Sequence, residues 1–361
     1  MKYGLWYFKD THNLGDDIWA YAQSLFYPRV DYLIDNTTSY KFKSDNDEQV
    51  ATIMAAFVEP YNREYAFAPP INLSPLFVGA YFRSTMWEFI ETDFVREYLK
   101  AHEPIGVRSC EHSNQLRAMG IEAYFSGCIT LTLPEISKKT GNYICCVDVP
   151  DYVIDKVRKI TKDQFEIKRM THISPLFHNN SSYTREWEPE FSRSITYEQR
   201  QNLSINERFE ITRSLLQFYA NSHCVITSRL HAALPCLSQS TPVLFTLPKD
   251  GSEVVDMDTR CGDFLPLLHH SSYEDFNADT VDYDFINPPG NPTEFLRFRK
   301  IISDRCSEFI ESCEADKVLN RCPYTAERRS ELLIDILENK VLQLKKLADT
   351  KNLVISNMTE A

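Results

Sequence analysis

The sequence predicts an α/β protein in two halves, because short apolar runs alternate with helix-like stretches along most of the chain. Alternation of this kind is typical of βα units whose parallel sheet is covered on both faces. A polar break between Leu133 and Gly141 separates one series of apolar runs from the next. Two such halves joined by a linker predict a bilobed protein with a cleft, and clefts are favoured ligand sites.

The short apolar runs are predicted to be strands, and the longer periodic stretches helices. A capping box from Ser204 to Glu207 marks the start of one helix. Two further helices are expected over 18–26 and 111–119. The predicted strands cover residues 3–8, 30–34, 53–58, 76–81 and 105–107 in the first half, and 143–149, 165–170, 224–227 and 243–246 in the second.

These patterns divide the chain into three parts. An N-terminal domain is expected over 1–134, a second domain over 141–293, and C-terminal helices with a tail over 294–361. Residues 172–204 are polar and are expected to form a long excursion from the second domain, which is usually functional or mobile.

Composition limits the class of partner. The chain has 361 residues, a net charge of −12 and 43% hydrophobic residues. The negative net charge argues against nucleic acid as the main partner. For the same reason, an anionic ligand would have to be bound by a few arginines positioned at its site. No apolar run approaches the ~20 residues of a membrane span, no signal peptide is recognisable, and the cysteines show no Cys-x-x-Cys pair. The protein is expected to be cytoplasmic.

Several common sites are missing from the sequence. No Gly-x-Gly-x-x-Gly or Walker loop occurs, which counts against dinucleotide and P-loop binding. A Gly-x-Ser-x-Gly elbow is also absent, so an α/β-hydrolase is not indicated. No His, Asp and Glu spacing indicates a metal, and neither a metal nor a cofactor is expected.

The first candidate site is the segment Ser228-Arg229-Leu230-His231, between a predicted strand and a predicted helix. Open α/β sheets hold ligands at this edge, and the free amides of a helix start favour an anion. Arg229 and His231 are two residues apart and should point the same way, with Leu230 toward the core. They are either an anion clamp with an acid–base residue, or a structural ion pair with a capping histidine.

A second candidate lies in the loop after the first strand. Gly15 is expected to allow a tight turn, and Asp16 either caps the next helix or contacts a substrate hydroxyl. Arg108 follows the strand 105–107 and repeats the arrangement of Arg229. The two arginines could grip one dianion from opposite lobes, or Arg108 could be a surface residue in an ion pair.

Together these segments resemble the polysaccharide pyruvyl transferase family, over about residues 5 to 270. The most specific piece is Ser-Arg-Leu-His-Ala-Ala at 228–233. The other matching segments are 13–16, 106–109 with Leu116 and 120–121, 126–132, and 241–245.

The resemblance implies a glycosyltransferase-B-like fold, with two Rossmann-like domains facing a cleft. It also implies transfer of a pyruvyl group from phosphoenolpyruvate to a sugar of a surface polysaccharide, or of its lipid-linked precursor at the inner face of the membrane. Arg229 and Arg108 would then bind phosphate and carboxylate, and His231 would be the acid–base residue, with Asp16 the second catalytic candidate. The remaining expected substrate contacts are Leu230, Asn13, Gly15 and Ser228.

Two other functions remain open on sequence grounds. A nucleotide-sugar glycosyltransferase would use the same cleft, although the second lobe shows no obvious acidic pair for a ribose. A non-catalytic carbohydrate-binding relative would keep the fold and lose the chemistry, which the presence of Arg108, Arg229 and His231 disfavours.

Overall fold

The computed structural model describes residues 1–56, 70–82, 86–137, 141–173, 182–247, 261–315 and 322–359. Two parallel sheets form the centre of the described chain, one in each half, and helices pack around them. The α/β class predicted from the sequence is confirmed.

The first sheet has the strand order β2-β1-β3-β4, and a pair β5-β6 continues it. The junction is a parallel bridge between Ala80 and Val107, supported by a 3.0 Å hydrogen bond from Arg108 N to Ala80 O. The order of the strands changes direction between β1 and β3, because β2 lies on one side of β1 and the later strands lie on the other. The strands are β1 Lys2–Tyr7, β2 Tyr32–Asp35, β3 Val50–Met54, β4 Leu73–Phe77, β5 Ile105–Val107 and β6 Ala123–Phe125.

The second sheet has the order β11-β10-β9-β7-β8, with all pairs parallel. If β7 is counted as the first strand of this sheet, the order is again the doubly wound 2-1-3-4-5. The second strand, β8, lies on one side of β7, and the later strands begin on the other side with β9. Ligands in such sheets bind at the carboxyl ends of the strands beside the reversal. The strands are β7 Tyr143–Val147, β8 Glu166–Met170, β9 Cys224–Thr227, β10 Val243–Leu247 and β11 His269–Ser272.

The helices connect these strands and cover the sheets. The C-terminal helices expected from the sequence are present as α11 and α12. In chain order the helices are α1 Leu14–Ser24, α2 Trp87–Ile90, α3 Asp93–Ala101, α4 Cys110–Ala118, α5 Asp151–Thr161, α6 Glu190–Arg193, α7 Tyr197–Gln201, α8 Ile205–Asn221, α9 Leu230–Ser238, α10 Tyr273–Ala278, α11 Phe295–Glu314 and α12 Ala326–Thr359. None of these helices combines the length and the apolar character that a membrane span requires.

Several predicted boundaries are wrong by about three residues. Strand β3 begins at Val50 and β4 at Leu73, so both begin before their predicted starts, and residues 57–58 of the former prediction lie outside the described residues. The sequence does not predict β6 and β11, because β6 has only three residues and β11 is polar. The strands over 105–107 and 224–227 and the capping box at Ser204 are confirmed.

Helix α1 begins four residues earlier than predicted, because Asn13 caps it. The side-chain Oδ1 of Asn13 accepts a hydrogen bond from Gly15 N at 3.0 Å. Asp16 therefore lies inside the first turn, and the expectation that Asp16 caps this helix is wrong.

The two halves share one continuous apolar core. The described start of the predicted linker is held against the second half, since Gln239 accepts from Ile136 N at 2.8 Å and donates to Pro134 O at 2.9 Å. Arg299 of α11 donates to Leu131 O of the first half and to Ser238 O of the second. These hydrogen bonds therefore join the two halves outside the candidate site.

A buried ion-pair cluster forms part of that contact. Asp17 of α1 pairs with Arg208 of α8 and, at 2.9 Å, with Arg200 of α7. Arg208 also donates to Phe8 O at 2.7 Å and to Lys9 O at 3.1 Å, just beyond β1. One side chain of the second half thus holds both the first strand and the first helix.

Replacing Arg208 by Met should lower the free energy of unfolding by about 3 kcal/mol, because the Asp17 carboxylate then stays buried with too few partners. Urea denaturation measures the loss. Arg328→Met is the control, since Arg328 and Glu331 form an exposed pair on α12, and it should cost less than about 0.5 kcal/mol. Equal losses in the two variants would contradict a structural role of the buried cluster.

Candidate active site

A small cavity lies where the carboxyl ends of both sheets meet. Its volume is about 70 Å³. It contains every predicted site residue except Gly15 and Asp16, and the structure adds His172 and Cys261. The lining residues are Asn13, Arg108, His172, Ser228, Arg229, Leu230, His231 and Cys261.

The turn from β9 into α9 sets the second-half side of the cavity. Arg229 is the N-cap residue of α9 in an extended conformation, and its backbone N–H donates to Thr227 Oγ1 at 2.9 Å. Leu230 and His231 are the first two residues of the helix. The free amides of this helix start favour an anion, as the sequence predicted.

Arg229 combines the two alternatives that the sequence left open. Its Nε donates to Asp148 Oδ2 at 2.7 Å, so it does form an ion pair. Its side chain nevertheless stays 36% exposed and lines the cavity. Within the described part of the chain, neither Nη group of Arg229 donates a hydrogen bond, so both can face a ligand.

Arg108 is 1% exposed, so the alternative of a surface arginine is wrong. Its Nη1 lies 3.2 Å from His231 Nε2, and its guanidinium lies over the Tyr81 ring at 5.0 Å. Stacking on an aromatic face and a hydrogen bond together fix the plane of the guanidinium. The first half therefore presents a fixed cation to the histidine of the second half.

The contact with Arg108 defines the tautomer of His231. A guanidinium only donates, so Nε2 is the acceptor and the neutral ring carries its proton on Nδ1. Cys128 Sγ lies 3.7 Å from the same nitrogen, and Thr130 Oγ1 donates to that sulfur at 3.3 Å. Nε2 is thus the nitrogen that faces the cation.

Gly15 does not form the expected tight turn. It allows the start of α1 to approach His231 of α9 closely. It lies in the first turn of α1, and a Cβ built there would be 3.0 Å from both Cβ and Nδ1 of His231. A side chain at this position would displace the imidazole or separate α1 from α9. The glycine thus lets the two helix starts touch.

Asp16 is buried and does not line the cavity. One carboxylate oxygen accepts from Thr11 Oγ1 and the other from Trp19 Nε1 at 3.3 Å. Burial raises the pKa of Asp16 above its usual range, against the opposing effect of these two hydrogen bonds. The structure does not bring Asp16 together with Arg229 and His231 in the cavity wall.

The remaining predicted residues support the wall of the cavity. Ser228 Oγ donates to Asp148 O at 2.6 Å. Leu230, expected to point into the core, is half-buried: it packs against the core and also lines the cavity. Asn13 caps α1, and the next residue, Leu14, donates its N–H to His172 O at 2.8 Å across the two halves.

Sequence reasoning missed Asp148 and His172, which follow β7 and β8. Asp148 has a left-handed backbone with φ of 51°, and its Oδ2 also accepts from His172 N at 3.0 Å. The rule that identified Arg229, polar residues just after a parallel strand, also applies to both of them. In the described residues no cluster of three or more His, Cys, Asp or Glu side chains is arranged for a metal ion.

His172 is a buried neutral histidine. Its Nε2 lies 2.6 Å from the Tyr219 hydroxyl, and burial lowers its pKa from 6.5 to about 4, with nearby Arg229 and Arg200 adding to the effect of burial and Asp148 opposing it. Between these two values the unfolded chain binds a proton that the folded chain does not. The stabilisation by the neutral ring is therefore complete above pH 6.5 and is lost as the pH falls toward 4.

Unfolding free energies of wild type and His172→Gln, measured in urea between pH 7 and pH 4, should test this. The wild type should lose up to about 3 kcal/mol more than the variant over this range. Tyr219→Phe should keep the wild-type pH slope, because burial rather than the hydroxyl is the main cause of the shift. Parallel curves for wild type and His172→Gln would contradict the assignment.

Comparison with known proteins agrees with the sequence resemblance. The family model "Polysaccharide pyruvyl transferase" matches residues 87–248, slightly less than half of the chain, including Arg108, Arg229 and His231. No curated protein matches the sequence. Among solved structures, a functionally uncharacterised protein from Klebsiella pneumoniae subsp. pneumoniae is 12% identical with a TM-score of 0.36, covering 72% of this chain and 87% of that chain. The family match over residues 87–248 confirms the resemblance to the polysaccharide pyruvyl transferases and indicates that the protein is a transferase.

Proposed function

We propose that the protein transfers the pyruvyl group of phosphoenolpyruvate to hydroxyls of a sugar in a surface polysaccharide or its lipid-linked precursor, forming a pyruvate ketal. One observation carries the proposal. Arg108 from the first half and Arg229 from the second half meet His231 at a single cavity.

The charges of this cavity suit a small dianionic donor. Phosphoenolpyruvate has a phosphate and a carboxylate, and two guanidinium groups can each hold one anionic group in a forked contact. The start of α9 adds free backbone amides. These local features support anion binding in a protein whose net charge is −12.

The chemistry assigns a proton donor to the site. Protonation of the methylene carbon turns the enol phosphate into an electrophile at the adjacent carbon. A sugar hydroxyl attacks that carbon and loses its proton, phosphate departs with its bonding electrons, and a second hydroxyl closes the cyclic ketal. The arginines neutralise the departing phosphate, and the chemistry needs no redox cofactor.

His231 is the proposed acid. Its Nε2 faces Arg108, so a donor group that takes the place of the imidazole on Arg108 lies beside this nitrogen, which delivers the proton once the ring has taken one up. Asp16 is the next residue to test, because a carboxyl with a raised pKa can hold a proton, although it lies behind the cavity wall and does not line the cavity.

The three clustered side chains of Arg108, Arg229 and His231 favour a catalyst over a carbohydrate-binding relative. A lipid-linked acceptor would place the protein at the inner face of the membrane.

Phosphoenolpyruvate should stabilise the protein saturably in thermal-shift experiments, since a ligand of the folded state raises its apparent stability. Added salt should weaken the effect. Arg108→Lys should weaken it despite the kept charge, because a lysine cannot stack on Tyr81 and present a fork to the ligand. Arg328→Lys, at an exposed position of α12, should behave as wild type. Stabilisation by a nucleotide sugar with none by phosphoenolpyruvate would instead support a glycosyltransferase.

Replacing His231 by Gln should leave donor-induced stabilisation in place and reduce turnover by ~10²-fold or more, because a proton donor acts in the transition state. Turnover is measured as acceptor-dependent release of phosphate. A folded variant with normal turnover would exclude His231 as the acid, and Asp16→Asn would be tested next.

A further inference from the structure

Two tyrosines lie beside the cavity on the same edge of the second sheet. Tyr152 is in the first turn of α5, which follows β7, and Tyr273 is the first residue of α10, which follows β11. Helices that follow parallel strands begin at the carboxyl edge of the sheet, where ligands bind. Both rings therefore belong to the ligand side of the second half.

A chain of contacts connects these rings to the cavity. Burial raises the pKa of Tyr273, and the neighbouring Ser228, Arg229 and Asp148 affect it as well. Ser228 and Arg229 line the cavity, so Tyr273 adjoins the cavity wall. The rings of Tyr273 and Tyr152 meet edge to face, with centroids 6.4 Å apart and an angle of 80°. Tyr152 is thus one aromatic ring away from the cavity wall.

Polar groups surround the outer ring. Tyr152 is 41% exposed, and Glu274 and Asn277 lie near its hydroxyl, where they affect its pKa. We call the set of Tyr152, Tyr273, Glu274 and Asn277 the tyrosine platform. An exposed ring flanked by an amide and a carboxylate has the composition of a surface for polyhydroxylated ligands.

We propose that the tyrosine platform binds a pyranose ring of the acceptor next to the donor cavity, an inference that rests on the proposed pyruvyl transfer. The C–H groups on one face of a pyranose carry partial positive charge and pack against the negative face of an aromatic ring. Sugar hydroxyls donate to a carboxylate and exchange hydrogen bonds with an amide. The negative charge of Glu274 selects an uncharged sugar over an anionic one.

The experiment uses the full chain and a panel of methyl glycosides of glucose, galactose, mannose and N-acetylglucosamine in both anomers. Saturation-transfer NMR in the presence of phosphoenolpyruvate measures glycoside binding, and thermal shift measures donor binding separately. The variants are Tyr152→Ala and Tyr152→Phe. Ile160→Ala is the matched control, because Ile160 is 37% exposed on the same helix, roughly 12 Å further along its axis.

Tyr152→Ala should raise the dissociation constant of the best-bound glycoside about tenfold, whereas Tyr152→Phe and Ile160→Ala should stay within about threefold of wild type. Stabilisation by phosphoenolpyruvate should be the same in all four proteins. Wild-type binding of the glycoside by Tyr152→Ala, or a wild type that binds no glycoside of the panel, would overturn the inference and leave the donor result intact. A wild type that phosphoenolpyruvate does not stabilise would overturn the proposed function, and the acceptor role of the platform with it.

Discussion

The buried carboxylate of Asp17 holds the two halves in the arrangement on which the cavity depends. Burying a carboxylate is costly, and here two arginines of the second half offset the cost. Arg208 adds bonds to backbone carbonyls beyond β1, so a shift of one half against the other would break several interactions together. The cavity needs this constraint, because Arg108 and His231 belong to different halves and meet at 3.2 Å.

Each cation of the site is positioned before any ligand arrives. Asp148 holds Arg229 through one edge of the guanidinium and is itself fixed by the backbone N–H of His172. Tyr81 and His231 hold Arg108 in the same manner. A ligand that binds such groups loses less of its binding energy to ordering side chains. A net charge of −12 is therefore compatible with an anion site. Binding depends on the two guanidinium groups held at the cavity and not on the net charge of the chain.

The sequence allowed the α/β class, most strands and most of the cavity residues to be predicted, because buried strands and the residues directly after them leave a local pattern. What it could not supply depends on contacts between distant segments. Gly15 was interpreted as a turn glycine, although the constraint on it comes from His231, more than two hundred residues later. Capping, one of the two roles that the sequence leaves open for Asp16, belongs to Asn13. The pairing of Asp148 with Arg229 likewise requires the order of β7 and β9 in the sheet, which composition does not encode.

The hydrogen bond from Arg108 to His231 occupies the single lone pair of Nε2, so this nitrogen carries no proton while the bond is made. The proposed proton transfer would therefore need a ligand to take the place of the imidazole on the guanidinium. The contact that joins the two halves at the cavity is thus the contact that the proposed donor would have to replace.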